Sequence, residues 1–197
     1  MIISSTHRFV FAHVPKTGGI SMRAALAPFA DGQADAHPNT THETLPELLA
    51  RAPHLGGHFK FAFVRNPWDR LVSFHAYARE KLKTTLPEMQ AVSFGEMLRL
   101  LDAGAPWLER LHVMRPQCDH VRGADAVGRF EHMGADFARI AARLCLTLSL
   151  PHKNPSRHGA YAAGYDAWGR DFVARRYARD IDEFGYAFEA ENGQAES

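Results

Sequence analysis

Between Arg8 and Ala27 the chain reads RFVFAHVPKTGGISMRAALA: an apolar run, then Pro15-Lys16-Thr17-Gly18-Gly19, then an amphipathic run opening at Ser21. Phe9, Val10, Phe11 and Ala12 suit a buried strand, and Met22, Ala25 and Leu26 recur at helical spacing. The stretch reads as strand, glycine loop and helix. Paired glycines let backbone N–H groups turn toward one point, a helix start adds free donors and a positive dipole end, and Lys16 adds a full charge. Such a loop is suited to holding an anion. The lysine precedes the glycines, whereas the pattern of ordinary ATP and GTP sites places it after them, which disfavours that class. Alone, the loop also fits a tight strand-to-helix turn in any α/β protein.

A second segment of the same kind follows. Phe59 to Arg65 is an apolar strand ending on arginine, Asn66-Pro67 opens a helix, and Leu71, Phe74, Ala78 and Leu82 give that helix an apolar stripe. Ligands of open parallel sheets bind beyond the carboxyl ends of the strands, which places Arg65 and the Pro15 to Gly19 loop on one edge.

The remaining chain fits an α/β reading. Thr44-Leu45-Pro46-Glu47 and Ser93-Phe94-Gly95-Glu96 have capping-box spacing and open helices from Leu45 to about Arg51 and from Phe94 to near Gly104. A turn is expected at Met114 to Gln117, a short strand at Ala126 to Phe130, and a helix through Phe137, Ile140, Ala141 and Leu144. Ser149 to Gly164 reads as a long loop with the polar cluster His152, Lys153, Asn154, Ser156, Arg157 and His158, and one final helix runs from about Ala167 to Phe184. The 197 residues suffice for one well-buried domain, taken as 1–188, with 189–197 a polar C-terminal tail.

Only five of the 23 basic residues are lysines, so a lysine inside a glycine loop stands out. A net charge of +1 gives no global attraction to nucleic acid. Cys118 and Cys145 lack metal spacing and read as reduced core thiols, and no H-E-x-x-H pattern occurs, so no metal is expected. No run approaches the length of a transmembrane helix and no leader is evident, so a cytoplasmic protein is expected.

HVPKTGGISM at 13–22 resembles the 5′-phosphosulfate loop, and FAFVRNPWDRLVSF at 61–74 the 3′-phosphate segment, of sulfotransferases that use 3′-phosphoadenosine-5′-phosphosulfate (PAPS). The pair is most similar to the carbohydrate-type branch that includes heparan 2-O- and chondroitin-type enzymes. Weaker similarity continues through Arg115-Pro116-Gln117, Gly128-Arg129-Phe130-Glu131, the His152 to Ser156 loop and the ending from Tyr177 to Tyr186.

The resemblance implies a mainly parallel sheet flanked by helices, with P-loop-kinase-like topology. It also implies sulfuryl transfer from PAPS to a hydroxyl, of a carbohydrate or glycoconjugate. By that resemblance Lys16, Thr17, Gly18, Gly19 and Ser21 hold the 5′-phosphosulfate, Arg65 and Ser73 hold the 3′-phosphate, and Asn154, Ser156 and Arg157 close over the nucleotide. Lys16 is the expected stabiliser of the leaving phosphate oxygen. Deprotonating the acceptor suits histidine, with His42 favoured, His58 its rival and Glu43 a substitute. Arg115, Gln117, Arg129 and Glu131 either line the acceptor cleft or brace it. The chain is short for that family and lacks the membrane anchor of its Golgi members, which points to a small or cytoplasm-facing acceptor. Two other readings stay open: a nucleotide-dependent small-molecule kinase, and a non-catalytic PAPS- or nucleotide-binding module.

Overall fold

Apart from Lys60, the residues that alternate along FVFA at 9–12 and FKFAFV at 59–64 are apolar on both sides, the signature of strands covered on both faces. The structure, a computed structural model, describes residues 1–32, 42–147, 150 and 160–188. In chain order its elements are β1 (Ile2–Ser4), β2 (Phe9–Ala12), α1 (Gly19–Leu26), α2 (Leu45–Arg51), β3 (Phe59–Val64), α3 (Pro67–Lys81), α4 (Phe94–Asp102), α5 (Pro106–Glu109), α6 (Gln117–Val121), β4 (Ala126–Arg129), α7 (Met133–Arg143), α8 (Ala167–Arg176) and α9 (Ala178–Phe184). The fold is α/β, with a four-stranded, mainly parallel sheet flanked by helices, as expected.

Strand order is β1-β2-β3-β4. β1 runs antiparallel to β2, while β2, β3 and β4 are parallel, with Phe9 opposite Phe59 and Phe61 opposite Ala126. One face carries Phe9, Phe11, Phe61 and Phe63, packed with Met22 and Leu26 of α1 and Phe137 and Ile140 of α7. Val10, Ala12, Ala62 and Val64 alternate onto the other face and are equally buried.

Two compact units can be told apart in the chain. The first, Met1–Arg65 with Arg115–Pro155, holds the whole sheet with α1, α2, α6 and α7. The second, Asn66–Met114 with Ser156–Ser197, is helical, with a core that includes Trp68, Leu71, Phe74, Leu98, Leu101, Phe172 and Val173. Both expected capping boxes are present, at Thr44 with Glu47 and at Ser93 with Glu96.

Several elements differ from expectation. α1 starts at Gly19 rather than Ser21, since Ser21 and Met22 both donate to the Gly18 carbonyl. The single final helix is two, because Tyr177 leaves helical geometry (φ −110°, ψ 28°) with its hydroxyl donating to the Met114 carbonyl at 3.1 Å. Its ring is fully buried beneath the Arg70 guanidinium, so a tertiary anchor overrides helical continuity. α6 occupies the end of the expected turn at Met114 to Gln117 and continues to Val121. β1 was not expected, because three residues carry too little periodicity and its stability comes from pairing with β2. Cys118 is buried, but Cys145 is exposed beyond the end of α7, correcting its reading as a core thiol. Among the described residues no helix is long and apolar enough to cross a membrane.

Gly128 is where the sheet leaves no room for a side chain: a Cβ there would lie 2.5–2.9 Å from the Phe63 ring on the neighbouring strand. Phe63 is fully buried and cannot swing into solvent. Gly128→Ala is therefore expected to destabilise the protein by about 1–3 kcal/mol in urea unfolding, as overpacking does. A change within about 0.5 kcal/mol would mean that this contact is not tight.

Candidate active site

Beyond Ala12 the chain leaves β2 through His13 and Val14 and enters the loop that starts α1. Lys16 and Gly18 both have left-handed backbones, at φ 69° and φ 79°. Glycine adopts this conformation freely, whereas for lysine it costs roughly 1–2 kcal/mol. Thr17, buried between them, ties the loop down by donating its hydroxyl to the Val14 carbonyl at 2.9 Å. α1 has no side-chain N-cap bond and no acidic residue in its first turn. Its positive end is thus left for an external anion.

Both glycines are required by close approach as well. A Cβ on Gly18 would overlap the Met133 thioether, and one on Gly19 would overlap the His13 ring. The loop backbone therefore packs against Met133 and His13 where a side chain would not fit. Lys16 is half-buried, and its ammonium is lowered to about 8 by burial and, next, by the Arg65 charge.

Arg65, one residue past β3, is 2% exposed and reaches this loop. Its Nη1 donates to the Lys16 carbonyl at 3.2 Å, and its guanidinium lies 4.0 Å from the centroid of the Phe130 ring. Gln117, fully buried on α6, clamps the Arg65 backbone from both sides. Its Oε1 accepts from the Arg65 N–H at 2.9 Å, and its Nε2 donates to the Arg65 carbonyl at 2.7 Å. Two basic residues from different strand ends are held at one place, as the parallel-sheet reading required.

His42 lies beside the same strand end. Its Nδ1 is 3.2 Å from the His13 carbonyl and its ring centroid 4.6 Å from that of His13. His58 stands at the other end of the sheet, just before Phe59, about 20 Å of strand from Arg65. Glu43 is engaged with Arg51, whose Nε and Nη2 donate to its two carboxylate oxygens at 2.7 and 2.8 Å. Ser21 is on α1 and buried. Ser73 is on α3 in the second unit, 6% exposed. Asn154, Ser156 and Arg157 lie outside the described residues.

The residues left between lining and bracing separate. Gln117 is a brace. Arg115 donates to Glu47 at 3.0 Å on the surface. The Arg129 backbone N–H donates to Asp136 at 2.7 Å, and Glu131 is exposed. His13, Phe130 and Met133 were not singled out from sequence. Only His13 had a visible signal, its place directly before the loop, since the other two reach the site through β4 and α7. Among the described residues no three His, Cys, Asp or Glu side chains gather as a metal site.

A helix start without a side-chain cap and a lysine whose loop is braced by an arginine suit an anion. The family model described as Sulfotransferase family matches residues 1–187, and the chain belongs to that family, whose enzymes carry out sulfuryl transfer. The comparison with curated proteins and the comparison with solved structures each gave no match.

Sulfate keeps its charge across the neutral range, so the pH dependence of its binding reports Lys16. The charged lysine attracts the anion and the neutral one does not. Affinity is expected to be level below pH 7 and to fall through a free-protein pKa of about 8, by up to about tenfold per pH unit. Lys16→Ala should flatten that profile. Titration calorimetry that shows an unchanged slope in the variant would assign the dependence to another group.

Proposed function

We propose that the protein transfers a sulfuryl group from PAPS to a hydroxyl of a carbohydrate or glycoconjugate by in-line displacement. The observation that carries this reading is the meeting of Lys16 and Arg65 beside the uncapped start of α1. Gly18 lets the loop take its left-handed turn, and Gly19 lets α1 start directly against the His13 ring. Lys16, Thr17, Gly18, Gly19 and Ser21 hold the 5′-phosphosulfate. The parts of Arg65 and Ser73 at the 3′-phosphate, and of Asn154, Ser156 and Arg157 over the nucleotide, rest on the family resemblance.

Bound PAPS supplies the sulfuryl group and a phosphate leaving group on which negative charge grows. Lys16 offers its ammonium to that growing charge, and the first-turn N–H groups of α1 share it. A lysine near pKa 8 is still mostly charged at neutral pH, and an incoming anion favours its charged form further. Arg65 keeps the Lys16 backbone in its left-handed turn through the carbonyl bond, so the ammonium is presented without reorganisation.

His42 takes the acceptor proton. Its Nδ1 lies 3.2 Å from the His13 carbonyl, an acceptor that favours a proton on Nδ1 and so supports Nε2 in the base role. His58 stands at the wrong end of β3 for this task, and Glu43 is held by Arg51.

Titration calorimetry with adenosine 3′,5′-bisphosphate, set beside ATP with magnesium, tests the donor; tighter ATP binding would overturn it. Lys16→Ala is expected to lower turnover on the order of 10²–10³-fold, about 2–4 kcal/mol, while leaving the unfolding midpoint little changed. His42→Ala should abolish labelled-sulfate transfer from PAPS to hydroxyl acceptors and spare bisphosphate affinity. Wild-type turnover in that variant would move the base elsewhere.

A further inference from the structure

Among the described residues two large apolar side chains stand exposed, Ile20 at 54% and Tyr77 at 38%. Tyr77 belongs to the helical unit, whereas Ile20 is the second residue of α1, within the anion loop's own helix start. A branched apolar residue runs against local preference there, because the first turn of a helix favours oxygen-bearing side chains that serve its open N–H groups. α1 has neither a side-chain cap nor an acid in that turn. Ser21 and Met22 both donate to the Gly18 carbonyl, so the donors left over at the helix start are those of Gly19 and Ile20.

The direction of the Ile20 side chain follows from helix geometry. A helical Cα–Cβ bond tilts toward the N-terminus, so a residue in the first turn covers the helix start and whatever is held there. Its neighbours do not serve this way. The space beside Gly18 is filled by Met133 and that beside Gly19 by the His13 ring, while Ser21 and Met22 are buried. Ile20 is the first-turn side chain left on the open side of the loop. A departure from local preference at a binding site is where function outweighs helix stability.

We propose that Ile20 is a specificity-determining residue that selects a hydroxyl acceptor over water. This rests on the reading of the loop as the phosphosulfate site. In transfer the acceptor oxygen bonds to sulfur, the bond from sulfur to the phosphate oxygen breaks, and its electron pair leaves on adenosine 3′,5′-bisphosphate while the acceptor proton passes to the base. Water can take the acceptor's place in the same step, releasing inorganic sulfate, the same bisphosphate and a proton. A branched hydrocarbon beside the anion displaces that water. It also offers an apolar surface to the carbon skeleton of an alcohol, which water lacks.

The test uses PAPS with no acceptor present: release of labelled inorganic sulfate at saturating PAPS from the wild type, Ile20→Ala and Ile20→Val. The position is exposed, so both variants should fold. Ile20→Ala opens the loop to water and should speed sulfate release by about fivefold or more, with affinity for adenosine 3′,5′-bisphosphate within about threefold of wild type. Ile20→Val keeps a branched apolar surface and should release sulfate within about twofold of the wild-type rate. An unchanged rate in Ile20→Ala, or an equal rise in both variants, overturns the proposal. Failure of the wild type to bind the bisphosphate overturns the donor reading and this proposal together. Bisphosphate binding with unchanged sulfate release in Ile20→Ala overturns the role of Ile20 alone.

Discussion

The parallel pairing of β2 with β3 is the constraint on which the site depends. With Phe9 opposite Phe59 and Ala12 opposite Ala62, both strands end at the same level, and the residues that follow must emerge side by side. Lys16 is then held where burial and, next, the Arg65 charge lower its pKa to about 8, and an anion at that place would favour its charged form. A one-residue slip of β2 or β3 would turn that strand's phenylalanines to the opposite face, so the packing of the sheet also fixes the site.

Around this pairing the other elements act as braces. α6 supplies Gln117, whose amide occupies both backbone groups of Arg65, and the turn after β4 supplies Phe130 beneath the guanidinium. Phe130 and Met133 close on Gly18 while His13 closes on Gly19, so each glycine is matched to a neighbour from a different part of the chain. The loop is held in a left-handed turn that lysine would not choose by itself. This is strain retained by its surroundings at a binding site.

Membership of the sulfotransferase family agrees with this chemistry at the level of the group transferred. The site is built from backbone N–H groups, one half-buried lysine and one buried arginine, resources suited to the transfer of an anionic group. The acceptor is the partner whose recognition calls on residues beyond this anion loop.

Much of the architecture was legible in the residues because it rests on local rules. The strands at Phe9 and Phe59, both capping boxes, the helix after Asn66 and the strand-end placement of Lys16 and Arg65 follow from periodicity, cap chemistry and chain direction. What only the tertiary structure decided depends on contacts far apart in sequence. Tyr177 breaks the last helix because its hydroxyl is claimed by Met114, β1 exists because β2 pairs with it, and Cys145 falls on the surface past the end of α7. The same holds for the clamp of Gln117 on Arg65 and for the placing of His42 and His58 at opposite ends of the sheet. The sequence by itself determined that an anion loop and a second basic strand end exist. Packing decided which side chains hold them together, because no local pattern encodes a neighbour dozens of residues away.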